Sequence, residues 1–187
     1  MIKVYEFLAD GSEEIESLTV VDVLRRAGVE CQTVSINPTT EVTMSHGVKM
    51  LCDTTIAAVD LSDADMLLVP GGLPGATNLN DCQAVRDAIL TQYESGKKVG
   101  AICAAPLILG GLGILNGKRA TCYPGFEDQL IGAEYTADVY TVDGTVITGC
   151  GPSATLPYSY AILEMLGLQD KADALREGMM FNKLMNK

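Results

Sequence analysis

The sequence has few basic residues, which nucleic-acid-binding and membrane-surface-binding proteins usually have in clusters. It has one histidine and 13 lysines and arginines among 187 residues, against 24 aspartates and glutamates, so its formal net charge is −11. The basic residues form no cluster, which disfavours nucleic acid or an anionic membrane surface as a partner. The composition is 48% hydrophobic without repeats or low-complexity tracts, and it predicts one globular domain over residues 1–187.

Long apolar runs and paired cysteine motifs are also scarce. The first residues, MIKVYEFLADGSEE, carry charges within a short apolar stretch and do not predict a signal peptide. Residues 99–117 lack charge, but Pro106 and the glycines favour a buried strand, a turn and a short helix over a membrane span. The six cysteines form no Cys-x-x-Cys motif. They are expected to be reduced thiols in a cytoplasmic protein.

Apolar strands alternate with helical segments along the chain, and the alternation predicts a mostly parallel sheet with helices on both faces. Asp10 or Ser12 is expected to cap the first helix, and Gly28 to end it. The pattern predicts strands at 2–9, 30–36, 66–69, 99–102 and 120–123, hairpins at 43–51 and 139–148, and helices at 10–27, at 83–94 and from 155 onward. Ligands of such sheets bind beyond the carboxyl ends of the strands. That rule selects the segments at 10–16, 71–75, 103 and 123–124.

Cys103 lies between an apolar strand and a small-residue helix, in the stretch GKKVGAICAAPLILGG. This position is typical of a nucleophile elbow, a strained turn that points the nucleophile outward. Ala101 and Ala105 are the small residues two positions to either side, where most elbows carry glycine. The amino terminus of the following helix would stabilise a thiolate, which predicts a thiol more acidic than the free value of about 8.5. On spacing alone, a buried and inert cysteine is an equal alternative.

A nucleophilic thiol needs a neighbouring group that transfers protons. The single histidine, His46, falls in a predicted hairpin, which disfavours a Cys-His-Glu protease or glutaminase, and a solvated surface histidine is the simpler interpretation. Glu13 and Glu14 are typical of a helix amino terminus, whereas Glu16 lies one turn inside an amphipathic helix and could face inward. A carboxyl beside a thiolate is expected to hold a proton, which it can donate and shuttle.

The stretch VPGGLPGATNL brings backbone N–H groups to the same region. Gly71 and Gly72 permit close approach and positive φ. One interpretation is an oxyanion hole formed by the N–H groups of Gly72 and Ala104. A phosphate loop for a nucleotide or flavin is a weaker interpretation because the spacing is not G-x-G-x-x-G, and a plain turn is a third. The sequence shows no cluster of metal ligands, and we expect neither metal nor cofactor.

Five segments together resemble the ThiJ/PfpI superfamily. They are GSEEIES (11–17), VDVLRRAGV (21–29), VPGGLPGATNL (69–79), GAICAAPLIL (100–109) and GCGPSAT (149–155). They are most similar to the branch of the parkinsonism-associated protein deglycase and its bacterial YajL-like relatives. Each segment alone is a weak signal, but their order is specific. The resemblance covers residues 2 to 180 and implies a flavodoxin-like three-layer α/β sandwich that forms a homodimer.

The resemblance also implies roles for single residues. It places the reactive cysteine at Cys103, its partner glutamate at Glu16, and the oxyanion N–H groups at Gly72 and Ala104. Ala104 stands where the protease branch carries histidine, which disfavours protease activity.

The resemblance implies four further residues of the pocket, which are Tyr123, Pro124, His46 and Arg26. Tyr123, before Pro124, stands where the animal deglycase has histidine, and its hydroxyl could still donate a hydrogen bond. His46 stands where relatives carry an arginine near the dimer interface, so it is expected to line the site from the second subunit. Arg26 matches a family arginine near the same place.

The resemblance implies a cofactor-free enzyme that acts on reactive dicarbonyls or their adducts, of glyoxalase or deglycase type. One alternative is an oxidative-stress sensor or redox-regulated chaperone that uses Cys103, with Cys122 as a resolving thiol. A second alternative is a role in the thiamine (thiazole) pathway, suggested by the family label, for which the sequence offers only the PGG loop.

Overall fold

A seven-stranded sheet forms the centre of the computed structural model, which describes residues 1–186. The strands in chain order are β1 (Lys3–Leu8), β2 (Glu30–Ser35), β3 (Glu41–Thr43), β4 (Lys49–Leu51), β5 (Thr54–Thr55), β6 (Met66–Val69), β7 (Lys98–Ile102), β8 (Arg119–Ala120), β9 (Glu134–Tyr135), β10 (Tyr140–Asp143) and β11 (Val146–Gly149). The central sheet has the order β10-β11-β7-β6-β1-β2-β5. All neighbours in it are parallel except β10 and β11, whose antiparallel pairing confirms the hairpin predicted around Asp143 and Gly144.

Helices cover both faces of this sheet, so the predicted three-layer α/β architecture is confirmed. The helices are α1 (Glu14–Arg26), α2 (Gly75–Asp81), α3 (Gln83–Glu94), α4 (Pro106–Gly111), α5 (Thr155–Met165), α6 (Gln169–Gly178) and α7 (Phe181–Met185). The buried side chains of α2, α3 and α4 pack in one apolar layer with Tyr5 and Phe7 of β1. Those of α1, α5 and α6 pack in a second layer with Val4, from the other face of the same strand. The alternation along β1 reflects the two-residue period of a strand.

The start of α1 differs from the prediction. Its cap is Glu13, whose carboxylate accepts a hydrogen bond from the Glu16 N–H at 2.8 Å. Ser12 and Asp10 are engaged elsewhere: Ser12 Oγ accepts from the N–H of Ala9 at 3.0 Å, and Asp10 accepts from the N–H of Thr43 at 2.8 Å. The predicted cap was therefore wrong, because Ser12 is used by a local turn and Asp10 by a contact with β3. Gly28 follows the end of α1 with φ of +84°, as predicted.

Two other elements differ from the sequence pattern. The strand predicted at 120–123 is limited to Arg119–Ala120, which pairs with β9 outside the main sheet. The N–H of the next residue, Thr121, is bonded instead to the side chain of Thr148 at 2.9 Å. Helix α2 was not predicted, because GATNLND offers only two buried apolar side chains, Ala76 and Leu79, and a cap without a side-chain hydrogen bond.

The uncharged stretch 99–117 crosses the core as most of β7, a turn and the six-residue helix α4. Within residues 1–186, no helix has the length and apolar character needed to cross a membrane. All six cysteines are free thiols.

The strand order places the loops that carry the predicted site residues side by side. From β1 the chain continues outward to β2 and then returns to β6 and β7 on the other side of β1. The order therefore reverses between β1 and β6, and the loops beyond such a switch point form a crevice. The segment before α1, the loop after β6 and the turn after β7 all leave the sheet at this end.

Candidate active site

Cys103 occupies a strained turn directly after β7. Its φ is +64°, a left-handed conformation that costs a non-glycine residue roughly 1–2 kcal/mol. The surrounding backbone holds it there, because its N–H donates to Gly149 O at 2.8 Å and its carbonyl accepts from the Tyr123 N–H at 2.8 Å. The predicted elbow is confirmed, and its two flanking alanines, Ala101 and Ala105, are fully buried.

Gly71 and Gly72 bring the loop after β6 against this turn. A Cβ on Gly71 would lie 2.5 Å from the Cβ of Cys103 and 2.7 Å from Glu16 Oε2, so no side chain fits at this position. Gly72 has φ of +86°, and a Cβ on it would lie 2.5 Å from the backbone nitrogen of Glu13. Both glycines are needed to bring the cysteine, the glutamate and the loop into contact.

Glu16 enters the site from the first turn of α1. Its exposed fraction is 0%, and its Oε2 accepts a hydrogen bond from the Gly71 N–H at 2.8 Å. Its other oxygen, Oε1, is buried without a hydrogen-bond partner. Burial raises the pKa of Glu16 to about 7, with a further upward contribution from Glu13, while hydrogen bonds with Cys103 and Gly71 act downward. The carboxyl is therefore poised to hold or release a proton near neutral pH.

Cys103 as a whole is 8% exposed, and its side chain lies beside that carboxyl. Burial raises the pKa of Cys103, and the charge of an ionised Glu16 raises it further. The N–H groups of Gly72 and Ala104 lower it by a smaller amount. The prediction of a thiol made acidic by the following helix was thus wrong, because burial and a neighbouring carboxylate outweigh two N–H groups and a helix of six residues. A thiolate forms most readily when Glu16 keeps its proton.

Glu13 has a structural role that the sequence analysis did not predict. It is buried, caps α1, and its backbone N–H donates to Gly71 O at 3.0 Å, which fastens α1 to the loop after β6. The sequence groups Glu13 with Glu14 as ordinary acids of a helix amino terminus. Only the spacing of Glu13 from Glu16, three positions along the helix, signals the capping hydrogen bond.

His46 lies on the hairpin of β3 and β4 and contacts Glu14 rather than Cys103. Its Nδ1 is 2.8 Å from Glu14 Oε2, and its backbone N–H donates to Glu14 Oε1 at 2.6 Å. Burial opposes ionisation of Glu14, but the hydrogen bonds from His46 and Ser45 prevail and lower its pKa to about 2. Glu13, Glu14 and His46 each place one ligand atom within 4.8 Å of the others, the closest approach to a metal-binding group among residues 1–186.

Three remaining predicted residues lie at different distances from the centre. The backbone of Tyr123 is bonded to Cys103, while its exposed ring packs over Gly151. Pro124 follows it on the exposed surface. Arg26 lies in the last turn of α1, exposed and paired with Asp22 at 2.7 Å. The structure therefore brings Cys103, Glu16, Gly71, Gly72 and Ala104 together, with Tyr123 adjacent, and leaves Arg26 apart from them.

The chain was compared with sequence models of known protein families, and one of them matches it. The model for the DJ-1/PfpI family matches residues 2–165. The chain belongs to the DJ-1/PfpI family. The resemblance seen in the sequence is thereby confirmed.

Named relatives extend this result. The chain is 36% identical over 169 residues to Protein DJ-1 homolog A of Arabidopsis thaliana, a match that covers 89% of this chain and 43% of that protein. The chain thus spans less than half the length of this plant relative. It is 32% identical over 169 residues to the Caenorhabditis elegans protein named glutathione-independent glyoxalase DJR-1.2, with 89% of each protein covered.

A solved structure shows the same fold. The structure described as Toxoplasma gondii DJ-1, oxidized, superposes with a TM-score of 0.92 at 34% sequence identity. The match covers 96% of this chain and 98% of the other. The DJ-1 fold is therefore shared over nearly the whole chain.

Proposed function

We propose that the protein is a cofactor-independent cysteine enzyme that converts reactive dicarbonyls, or their adducts, to hydroxy acids. The observation that carries this proposal is the buried Cys103–Glu16 pair, held against Gly71 by the Gly71 N–H bond to Glu16 Oε2 at 2.8 Å. A family member named a glutathione-independent glyoxalase supports the reaction type. Deglycation of protein or nucleotide adducts is a variant of the same chemistry.

In the first step, the Cys103 thiolate attacks the aldehyde carbon of a 2-oxoaldehyde, and a carbon–sulfur bond forms as the carbonyl π bond breaks. The N–H groups of Gly72 and Ala104, which already lower the pKa of the thiol, stabilise the resulting oxyanion. Glu16, in its acid form, donates the proton that neutralises the alkoxide.

In the second step, the Glu16 carboxylate removes the proton from the former aldehyde carbon and delivers it to the adjacent carbon, while the hydroxyl proton of the first carbon passes to the ketone oxygen. The first carbon is oxidised to a thioester and the second is reduced to an alcohol, so no external oxidant or reductant is needed. Water then hydrolyses the thioester, which releases a 2-hydroxy acid and restores the thiol. A carboxyl with a pKa of about 7 suits both directions of this transfer.

The test is methylglyoxal consumption with lactate formation, without glutathione or metal and in an amine-free buffer. Wild type, Cys103→Ser and the control Cys82→Ser are compared, since Cys82 lies at the start of α3 away from the site. We expect Cys103→Ser to lose roughly 10³-fold or more of the turnover, and Cys82→Ser to keep it. Equal slow consumption by all three proteins would indicate nonspecific scavenging and refute the proposal.

A second candidate function is oxidative-stress sensing through the same cysteine. Its support is that Cys103 has the buried acid Glu16 beside it and that a related structure is described as oxidized. Peroxide would then oxidise Cys103 before the other five cysteines, as followed by mass spectrometry. Uniform oxidation of all six thiols would contradict a sensor.

We further propose that the protein is a cytoplasmic homodimer. A groove lined by Ile15, Leu18, Pro152, Leu156 and Met179 runs along α1 beside the site. Ile15 and Leu18 are 54% and 41% exposed on α1, next to Glu16. Light scattering would show a dimer that Leu18→Glu disrupts and that Ile131→Glu leaves intact, because Ile131 is 56% exposed beside α4, on the other face of the sheet from α1. A wild-type monomer would refute this assembly.

A further inference from the structure

Glu6 is an unexpected residue for the middle of a central strand. It lies in β1 between Tyr5 and Phe7, is 1% exposed, and its Oε2 has no hydrogen-bond partner. Buried carboxyls normally have partners, so this oxygen needs an explanation. The nearest basic group, Arg25, does not supply one, because its Nε donates to Cys31 O at 2.9 Å and its Nη2 donates to Asp53 at 2.6 Å.

Two other buried side-chain atoms lack partners among residues 1–186, and they come from the same region. They are Glu16 Oε1 and the hydroxyl of Tyr158 on α5. The three groups enter from three elements, β1, α1 and α5. The two helices pack against each other in the apolar layer that covers this face of the sheet.

The strand register places Glu6 and Tyr158 over the same stretch of sheet. Glu6 is paired with Leu68 in β6, and Leu68 is paired with Gly100 in β7. Paired residues of neighbouring strands point to the same face. A Cβ on Gly100 would lie 2.7 Å from the Tyr158 hydroxyl and 2.6 Å from Leu68 Cδ2, so the glycine leaves room for this hydroxyl.

The charges around Glu6 favour its acid form. Burial raises the pKa of Glu6 well above its ordinary value, Glu16 raises it further, and Arg25 opposes this only in part. Two thiols also face it, Cys31 from β2 and Cys52 after β4, and a charge on Glu6 would raise the pKa of both. None of these groups would stabilise a carboxylate enough to offset burial. Glu6 is therefore a neutral group that can both donate and accept a hydrogen bond.

We propose that Glu6 is a positioning residue for Glu16: its acid group and the Tyr158 hydroxyl hold an internal water molecule that donates a hydrogen bond to Glu16 Oε1. An internal water requires two to four polar partners, and these three atoms supply them. With Oε1 anchored in this way, Oε2 stays directed at the N–H of Gly71, the residue that also contacts Cys103. This role rests on the proposed function, in which Glu16 moves a proton between two substrate carbons.

The kinetic test compares Glu6→Leu, Glu6→Gln and Tyr158→Phe with wild type. We expect Glu6→Leu to lower kcat roughly tenfold to hundredfold with little change in KM, because the carboxyl of Glu16 is no longer oriented. Glu6→Gln, a neutral hydrogen-bonding replacement, should keep most of kcat, and Tyr158→Phe should lose part of it. A purely structural role would change the melting temperature and leave kcat alike in Glu6→Leu and Glu6→Gln. That outcome would overturn the proposal.

A second readout needs no substrate and so stands apart from the proposed reaction. Iodoacetamide alkylation of Cys103 is followed against pH by mass spectrometry. Loss of a donor to Glu16 raises the pKa of Glu16, so in Glu6→Leu and Tyr158→Phe the thiolate forms more easily. Alkylation at neutral pH should then be faster, with the midpoint of its pH profile lowered by about one pH unit. Glu6→Gln should follow wild type.

Coincident profiles for all four proteins would refute the water-mediated contact. Absence of dicarbonyl turnover in wild type would refute only the proposed reaction. Tyr158→Phe keeps the test decisive should Glu6→Leu fail to fold.

Discussion

At the scale of single residues, Cys103 and Glu16 compete for one proton. An ionised Glu16 raises the pKa of the thiol, and burial raises the pKa of both groups. Two arrangements of this proton are therefore in equilibrium. In one, Cys103 is a thiolate and Glu16 is protonated; in the other, Cys103 is a thiol and Glu16 is a carboxylate. Such a pair titrates as a unit, so the proposed reactivity of the thiol depends on Glu16 keeping its proton.

Replacing Glu16 by glutamine should separate reactivity from catalysis. Loss of the carboxylate charge lowers the pKa of Cys103, so iodoacetamide alkylation at pH 7 should accelerate roughly tenfold. Dicarbonyl turnover should fall about 10²- to 10⁴-fold because the proton-transfer group is gone. Glu14→Gln is the matched control, since Glu14 lies on the same helix turn but is bonded to His46. Slower alkylation in Glu16→Gln than in wild type would contradict the coupling.

The sequence was informative about which residues meet at the candidate site and less informative about their environment. Cys103 could be predicted because a cysteine between an apolar strand and a small-residue helix is a recognisable pattern, and the family resemblance raised it above an inert thiol. Its acidity could not be predicted. That property depends on the burial of Cys103 and on a carboxyl from α1, 87 positions earlier in the chain, and neither is visible in the neighbouring residues.

At the scale of elements, periodicity predicted the strands and helices that carry continuous apolar patterns. The helix at Gln83–Glu94 and the strand at Met66–Val69 match the predictions. Features without a continuous apolar pattern were missed. Helix α2 has no apolar repeat, and the cap of α1 moved to Glu13 because Ser12 is bonded to the backbone of Ala9.

The loop after β6 permits a test at this scale. Gly72 and Gly28 have nearly equal φ values, +86° and +84°, but a Cβ meets backbone atoms only at Gly72. Gly28→Ala should lower the unfolding free energy by about 1 kcal/mol, the cost of a left-handed alanine. Gly72→Ala should lower it by roughly 3 kcal/mol or more, because the loop must also move away from Glu13. Urea unfolding measures both, and equal losses would show that the close approach is not needed.

At the scale of the whole molecule, strand order brings distant segments into one site. The rule that ligands bind beyond the carboxyl ends of parallel strands selected four segments from the sequence. The order β7-β6-β1 shows why three of them meet, since these strands are neighbours. The order itself could not be derived, because any of several arrangements would bury the same apolar strands.

The buried acid gives the stability of the whole molecule a pH dependence. Glu16 ionises near its ordinary pKa of 4.5 when unfolded, but its pKa when folded is about 7. The folded state therefore binds more protons between these values, and the contribution of Glu16 to stability is fully present below pH 4.5 and is lost as the pH rises through 7. The change amounts to roughly 3 kcal/mol.

Urea unfolding of wild type and Glu16→Gln at pH 4.5 and pH 8 isolates this effect, since other titrating groups are common to both proteins. The glutamine protein should gain roughly 3 kcal/mol relative to wild type between the two pH values. A difference between the proteins that does not change with pH would show that Glu16 ionises normally in the folded state.

The sharpest test of the Cys103–Glu16 assignment is native mass spectrometry of the intact Glu16→Gln protein with methylglyoxal present, because a hemithioacetal would dissociate during digestion. Without the proton-transfer group, the thiol still attacks but the adduct is not processed. We expect a covalent adduct that accumulates on Cys103, stays below detection there in wild type, and is absent when Cys103→Ser is combined with Glu16→Gln. An adduct that forms equally when Cys103→Ser is combined with Glu16→Gln would contradict the assignment of Cys103 as nucleophile and Glu16 as its proton-transfer partner, because it would then lie on other side chains, such as the other five cysteines.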